Sequence, residues 1–388
     1  MTRLLILVVS VFLALSSYSQ SLSPNATVSL ITCGPGNDLY ATFGHSAIHV
    51  SDAQSGTDKV YNYGTFDFNT PNFYVKFARG KLNYYLHVSN FKRFAATYVR
   101  EGRWVYRQEL NLNNEQKNYL FKLLEENARP ENRAYKYDFF YDNCSTRIRD
   151  ILEEALDNNL KYPEIKTETD TTFRQLIDKN LETHPWSDLG IDLALGAPCD
   201  KVASWSEKMF LPNYLMKHIG QSSIIKNGKP EPLVLKENLI IQENSSIIDR
   251  EEIKIDWIFW TAFILIGLAS IFIRADALKS LDILIYSISG LLGTIILLLW
   301  FATDHSATKW NFNILWALPT WLMAPYLLVK SKYSTFFKVH AIAMFALVIF
   351  WIFIPQNLHS ATVPLILILG MRSWTWNKYF FQKKNNDK

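Results

Sequence analysis

From about Ile255 to its end the chain carries one long apolar run after another, and this divides it into two halves that must fold in different solvents. Five segments stand out: Trp257–Ile273, Leu281–Phe301, Ile314–Val329, Val339–Ile354 and a weaker one at Ala361–Met371. The middle three are about long enough to cross a hydrocarbon core of ~30 Å at 1.5 Å per residue, with interfacial residues completing each span. The fifth is short and has Pro364 near its outer end. Residues 21–250 read instead as an ordinary soluble domain rich in Tyr, Phe and Asn. The mean hydropathy of -0.01 therefore averages two unlike halves. A net charge of +4, with no long Lys/Arg run and no basic patch interleaved with aromatics, implies no nucleic-acid partner.

The first nineteen residues read as a secretory signal. Arg3 gives the positive start, Leu4–Leu15 the apolar stretch, and Ser17-Tyr18-Ser19 places small residues at −3 and −1 before Gln20. Charge asymmetry agrees with export. If residues 20–250 lie outside, the inner loops hold Arg274, Lys279, Lys330, Lys332 and Lys338. The inner tail then holds Arg372, Lys378, Lys383, Lys384 and Lys388, and the outer loops hold Lys309 alone. This is the positive-inside pattern for an odd number of spans. The expected division is a signal peptide at 1–19, a periplasmic domain at 20–250, five membrane helices over 255–374 and a basic cytoplasmic tail at 375–388. The chain would sit in the inner membrane of a bacterium.

Export carries the soluble domain into an oxidising compartment, where thiols tend to pair. There are three cysteines, Cys33, Cys144 and Cys199, so at least one stays unpaired within the chain. Cys33 and Cys199 could pair, or stay buried and free. Cys144 lies in Tyr141-Asp142-Asn143-Cys144-Ser145-Thr146-Arg147. Asp142 or Asn143 can cap a helix there. Ile148, Ile151, Leu152, Ala155 and Leu156 follow at the spacing of a buried helical face. A cysteine in the first turn meets the positive helix end, which favours thiolate and offers backbone N–H groups to an oxyanion.

A base for that thiol stands about a hundred residues upstream, in Phe43-Gly44-His45-Ser46-Ala47-Ile48-His49-Val50. Strands are expected at Thr27–Cys33, Ser46–Ser51, Lys59–Tyr63, Leu82–Val88 and Arg103–Leu110, with a helix at Asn114–Asn127. A hairpin would then set His45 near the start of one strand and Tyr61–Tyr63 on its neighbour. His45 is the better base of the two histidines, because Gly44 lets a second chain approach closely; His49 reads as a half-buried strand residue. Asn62 is chosen as the group that orients the imidazole, with Asp67 and Tyr63 as rivals. Tyr137, Asp138, Tyr141 and Asp142 stand near the thiol without an assignable role. No acidic ligand stands at a zinc-like spacing, and neither a metal nor another cofactor is expected. In the first outer loop, Asp304, His305 and Lys309 lead into Trp310-Asn311-Phe312-Asn313. These polar groups could hold a lipid headgroup, or simply form a solvated loop.

Together these stretches resemble the Lnb family of bacterial lipoprotein N-acyltransferases. The resemblance rests on Phe43-Gly44-His45, Tyr61-Asn62-Tyr63-Gly64-Thr65-Phe66-Asp67-Phe68, Asp142–Arg147 and Asp192-Leu193-Ala194-Leu195-Gly196-Ala197-Pro198, and covers nearly the whole chain after the signal peptide. His49 stands where family members often carry arginine. The resemblance implies an α+β fold: a circularly permuted papain-like domain, similar to lecithin:retinol acyltransferase, followed by an all-α five-helix transmembrane domain. It also implies catalysis by Cys144, His45 and Asn62, and substrate binding by His305, Asn311 and Asn313. Membrane lipids would donate the acyl chain and diacylated lipoproteins accept it. Two other readings compete. A membrane-anchored cysteine peptidase or amidase acting on cell-wall peptides could use the same dyad but has little need of five spans. A binding module would not need Cys144 at all.

Overall fold

A computed structural model describes residues 21–163, 170–244, 246, 254–330 and 334–386. The signal peptide with its cleavage site, Lys332 and Lys388 lie outside the described residues.

The first half is built on a seven-stranded antiparallel sheet. The strands of this half are β1 (Thr27–Cys33), β2 (His45–Asp52), β3 (Thr57–Thr65), β4 (Asn83–Ser89), β5 (Val105–Leu110) and β6 (Ala134–Lys136), then β7 (Leu160–Lys161), β8 (Ser223–Lys226), β9 (Lys229–Pro232) and β10 (Val234–Ile241). The sheet order is β10-β5-β1-β2-β3-β4-β6, and β7-β8-β9 form a small second sheet. Helices α1 (Phe73–Ala78), α2 (Phe91–Arg100), α3 (Asn114–Asn127) and α4 (Cys144–Leu156) fall between the strands. Val28, Leu30, Ile48 and Tyr61 face Leu120, Leu124, Ile148 and Leu152 of α3 and α4. Ile31, Ala47 and Val60 face Phe94 and Tyr98 of α2. Covered on both sides, the central strands need apolar residues on both faces, which is why β1 alternates only loosely in sequence.

Past the sheet come α5 (Phe173–Leu181), α6 (Pro185–Ala194) and α7 (Pro212–Gln221). Phe140, Phe173, Leu176, Leu181 and Phe210 give them a core of their own. Arg174 is buried in this unit and bonds Asp192 (2.5 Å) and Asp200 (2.9 Å).

The second half is helical: α8 (Ile255–Phe272), α9 (Lys279–Phe301), α10 (Ala324–Lys330), α11 (Ser334–Ile349) and α12 (Thr362–Asn386). Ile255–Phe272 and Ala275–Phe301 are long and apolar enough to cross a membrane. Three expectations change here. The segment Ile314–Val329 is not one helix but two 3-10 turns, Phe312–Leu315 and Pro319–Met323, followed by the seven-residue α10. Pro319 holds Leu318 in extended backbone, so the first part cannot run on as an α-helix. The weakest apolar segment becomes the longest α-helix among the described residues, α12, with 25 residues. Pro364 sits in its first turn, where an N–H has no helical partner to lose. Arg372, counted among the inner tail charges, is instead fully buried and pairs with Asp282 of α9 at 2.7 Å. Ser270 of α8 and Trp376 complete that buried network.

Candidate active site

Cys144 is the first residue of α4, and Asn143 rather than Asp142 is the cap. Asn143 Oδ1 accepts the N–H groups of Ser145 (2.8 Å) and Thr146 (2.9 Å). Its amide nitrogen donates to the carbonyls of Phe139 (2.7 Å) and Phe210 (2.8 Å), which ties the helix start to the α5–α7 unit. This corrects the expectation of several free N–H groups at the helix end. The cap takes two of them, and the N–H of Cys144 itself is the first-turn donor it leaves. Asp142 holds Arg147 through two bonds, 2.6 and 2.8 Å.

His45 opens β2. Gly44 before it has φ 77°, and a Cβ there would stand 2.7 Å from the carbonyl oxygen of Cys33. Only glycine lets β1 come that close while the chain turns. The β2–β3 register pairs His49 with Val60, so even residues of β3 share a face with odd residues of β2. Asn62 therefore lies diagonal to His45 on one face, and its Oδ1 is 2.5 Å from His45 Nε2. That contact leaves Nδ1 as the ring atom available to the thiol. Cys144 packs against β3 at Gly64, where a Cβ would lie 3.5 Å from Cys144 Cβ and 3.7 Å from the ring of Tyr137.

The electrostatics separate the three cysteines, all buried and all free. Burial pushes the Cys33 and Cys199 thiols up to about 12. Burial also opposes the Cys144 thiolate. The charge and hydrogen bond of His45, the N–H of Ser46 and the hydroxyl of Ser145 outweigh it and bring Cys144 below its ordinary value. His45 mirrors this: burial would lower it, but the Cys144 charge and the bonds to Cys144 and Asn62 raise it. The two shifts belong to one coupled pair, each group favouring the charged form of the other. Chemically the pair can attack a carbonyl and return a proton to a leaving group.

The other histidine has a separate environment. His49 Nε2 contacts Asp58 at 2.8 Å, and its ring stacks on Phe91 at 4.9 Å. Burial, ahead of the opposing Asp58 bond, lowers its basicity.

His305, Asn311 and Asn313 make their hydrogen bonds to groups other than His45 and Cys144. They form the joint between the halves. Asn311 is fully buried and donates to the carbonyls of Leu193 (2.9 Å) and Ala194 (3.1 Å). Asn313 donates to the carbonyl of Asp192 (3.2 Å) and accepts the indole N–H of Trp316 (2.9 Å). Gly196 lies so close to the outer loop that a Cβ would fall 1.8 Å from the Lys309 carbonyl oxygen. The segment Asp192–Pro198 is thus the soluble half of a clasp whose other half is Ala307–Asn313. His305 Nε2 bonds the carbonyl of Phe77 in α1 at 3.0 Å. Ser306 donates to Asp138 (2.9 Å), whose other carboxylate oxygen accepts the N–H groups of Phe140 and Tyr141 just ahead of Cys144.

Sequence reasoning misses two features of the site. The Ser46 N–H reaches the thiol only because of how β2 begins. The hydroxyl of Tyr135, 3.8 Å from a Cβ on Gly64, is buried and has no hydrogen-bond partner among the described residues. The run Tyr135–Asp142 carries the signal of an aromatic, polar approach to Cys144, but spacing alone does not select Tyr135.

Comparison with known proteins agrees with this division. No curated protein and no solved structure matches the chain. Residues 14–179 match the family model of the Lnb N-terminal periplasmic domain, and residues 254–385 match that of the Lnb transmembrane domain. With both domains present in order, an α+β periplasmic domain built on an antiparallel sheet and then a helical transmembrane domain, the chain belongs to the Lnb family.

Proposed function

We propose that this protein is a lipoprotein N-acyltransferase working through a thioester on Cys144. The thiolate attacks the ester carbonyl of a glycerolipid, and the N–H of Cys144 helps to hold the oxyanion. The tetrahedral intermediate collapses as His45 protonates the departing lysolipid oxygen. The free α-amino group of a lipoprotein's N-terminal diacylglyceryl-cysteine then attacks the thioester. His45 takes the amine proton, and the thiolate leaves with the amide formed. Asn62 keeps the imidazole in place through both steps.

One observation carries the reading: the one thiol of the three that its surroundings push toward thiolate sits in a domain clasped to a membrane domain. Both partners in the transfer are lipid-anchored, and a water-poor site limits thioester hydrolysis. The order of histidine before cysteine, with the cysteine opening a helix against the sheet that carries the histidine, supports a circularly permuted papain-like domain. The remaining lysines support an inner-membrane protein with its catalytic domain in the periplasm and its C-terminus in the cytoplasm.

Mass spectrometry of lipoprotein N-termini tests the reading in a strain that relies on this protein. The wild type should give N-acylated termini, and Cys144→Ser free amino termini. Free termini in the wild type would sink it, and release of cell-wall peptides instead would favour the peptidase or amidase reading.

A further inference from the structure

Helix α1 is unusual for a soluble domain. It has six residues, no side chain caps its N-terminus, and Asn72 before it has φ 57°. A helix this short and uncapped is marginal in water without tertiary support. Its outward face is nevertheless apolar: Tyr74 is 76% exposed and Phe77 51%, with Val75 and Phe68 exposed beside them. So dense a group of exposed apolar side chains marks a contact surface.

The location of α1 says what the contact is with. The Phe77 carbonyl accepts from His305, and the Arg79 carbonyl accepts from the N–H of Asp304 at 3.0 Å. Those residues follow directly on α9, whose last residue, Phe301, is 74% exposed. These backbone contacts set α1, with its exposed apolar side chains, beside the exposed end of α9. Lys76, Arg79 and Lys81 stand along the same short stretch, as on helices that lie in a membrane interface with cations toward the headgroups.

From that surface aromatic rings lead inward to the thiol. Phe66 lies 5.0 Å from Phe68, 5.8 Å from Phe73 and 5.5 Å from Tyr84. Tyr84 stacks on Tyr137 at 4.3 Å, and Tyr137 flanks Gly64 together with Cys144. Ring faces in series offer apolar contact to an alkyl chain along the whole route.

We propose that the segment Phe66–Phe77 dips into the outer leaflet and is the port through which an acyl chain of a bilayer glycerolipid reaches Cys144. The bilayer covers the exposed face of α1, and the aromatic series guides the chain from the interface to the thiol. The proposal rests on the acyl-transfer reading for the fate of the chain, but not for the contact itself.

The test uses the full chain in vesicles of phosphatidylethanolamine and phosphatidylglycerol, doped with a phosphatidylcholine bearing a diazirine on its acyl chain. After illumination, peptide mapping should find adducts on Phe68, Tyr74 or Phe77 as well as on α8 and α9. Adducts on the membrane helices alone would overturn the port, as would crosslinks showing a second copy of the chain seated on α1. In the same vesicles, Tyr74→Ser with Phe77→Ser should slow thioester formation on Cys144 at least tenfold. Alkylation of Cys144 by water-soluble iodoacetamide should keep its wild-type rate. Unchanged thioester formation would overturn the proposal; if alkylation changes as well, the wild-type labelling map decides. Labelling of α1 in a wild type that never forms a thioester would sink acyl transfer and leave the lipid contact standing.

Discussion

Nε2 of His45 and Oδ1 of Asn62 stand 2.5 Å apart on neighbouring strands, so the sheet register itself aims the imidazole. In the proposed mechanism, losing that contact lets the ring turn without removing the base. Asn62→Ala should therefore lower the rate of N-acylation by more than about tenfold, yet by less than His45→Ala, for which ~10²–10⁴-fold is expected of a lost general base. Rates measured with a diacylated lipopeptide acceptor check the order. Equal losses for both variants would mean that Asn62 does more than orient.

The linked ionisation of Cys144 and His45 predicts a pH profile. Cys144 lies below its ordinary value of 9.0, held there against burial by the His45 charge and hydrogen bond, so its thiolate persists to lower pH than that of an ordinary thiol and is lost as the solution is acidified through that lowered value. Removing His45 leaves burial in command, and the thiol should then move up, as Cys33 and Cys199 do. Alkylation of Cys144 by iodoacetamide in His45→Ala should follow a profile displaced to higher pH. Thiolate at pH 7 then falls about tenfold for every pH unit that the profile moves. A profile that stays in place would show that the helix end alone activates the thiol.

Asn143 uses its whole side chain, accepting twice and donating twice. Asn143→Ala removes the cap of α4 and strands the Phe139 and Phe210 carbonyls. A lost cap typically costs about 0.5–2 kcal/mol, and the stranded buried carbonyls should take the loss to the top of that range or beyond. Thermal unfolding in detergent reads the stability, and acylation should fall as the helix start loosens.

In the membrane half, Asp282→Ala leaves Arg372 buried without its partner. Breaking a buried ion pair from one side costs about 3–5 kcal/mol. The double change Asp282→Leu with Arg372→Leu should be milder than Asp282→Ala alone, as measured by unfolding in detergent. If the double variant were the worse one, the network would matter beyond its charge balance.

Local signals in the sequence mark much of this arrangement. Thr27–Cys33 and Asn114–Asn127 are legible to the residue, because a strand with turn residues after it and a helix with an Asn cap declare themselves within a few positions. The start of α4 is legible for the same reason. What escapes depends on distant partners. Val234–Ile241 returns to pair with β5 across more than a hundred residues, and nothing near it announces that pairing. Hydropathy marks Ile314–Val329 as apolar but does not weigh Pro319 against it. Asn311 and Asn313 look in sequence like groups awaiting a ligand. Their partners are backbone carbonyls of Asp192, Leu193 and Ala194, and a sequence does not display carbonyls in space.

The pairing of Arg372 with Asp282 has a consequence for how the protein is made. An arginine in the middle of a helix raises the cost of entering the bilayer by about 2.5–3.5 kcal/mol on insertion scales. Asp282 precedes Arg372 by ninety residues, so the carboxylate is synthesised before the guanidinium that needs it. Helix α12 can therefore settle only after α9 is in place, and the order of synthesis fixes the order in which these two helices join the bundle.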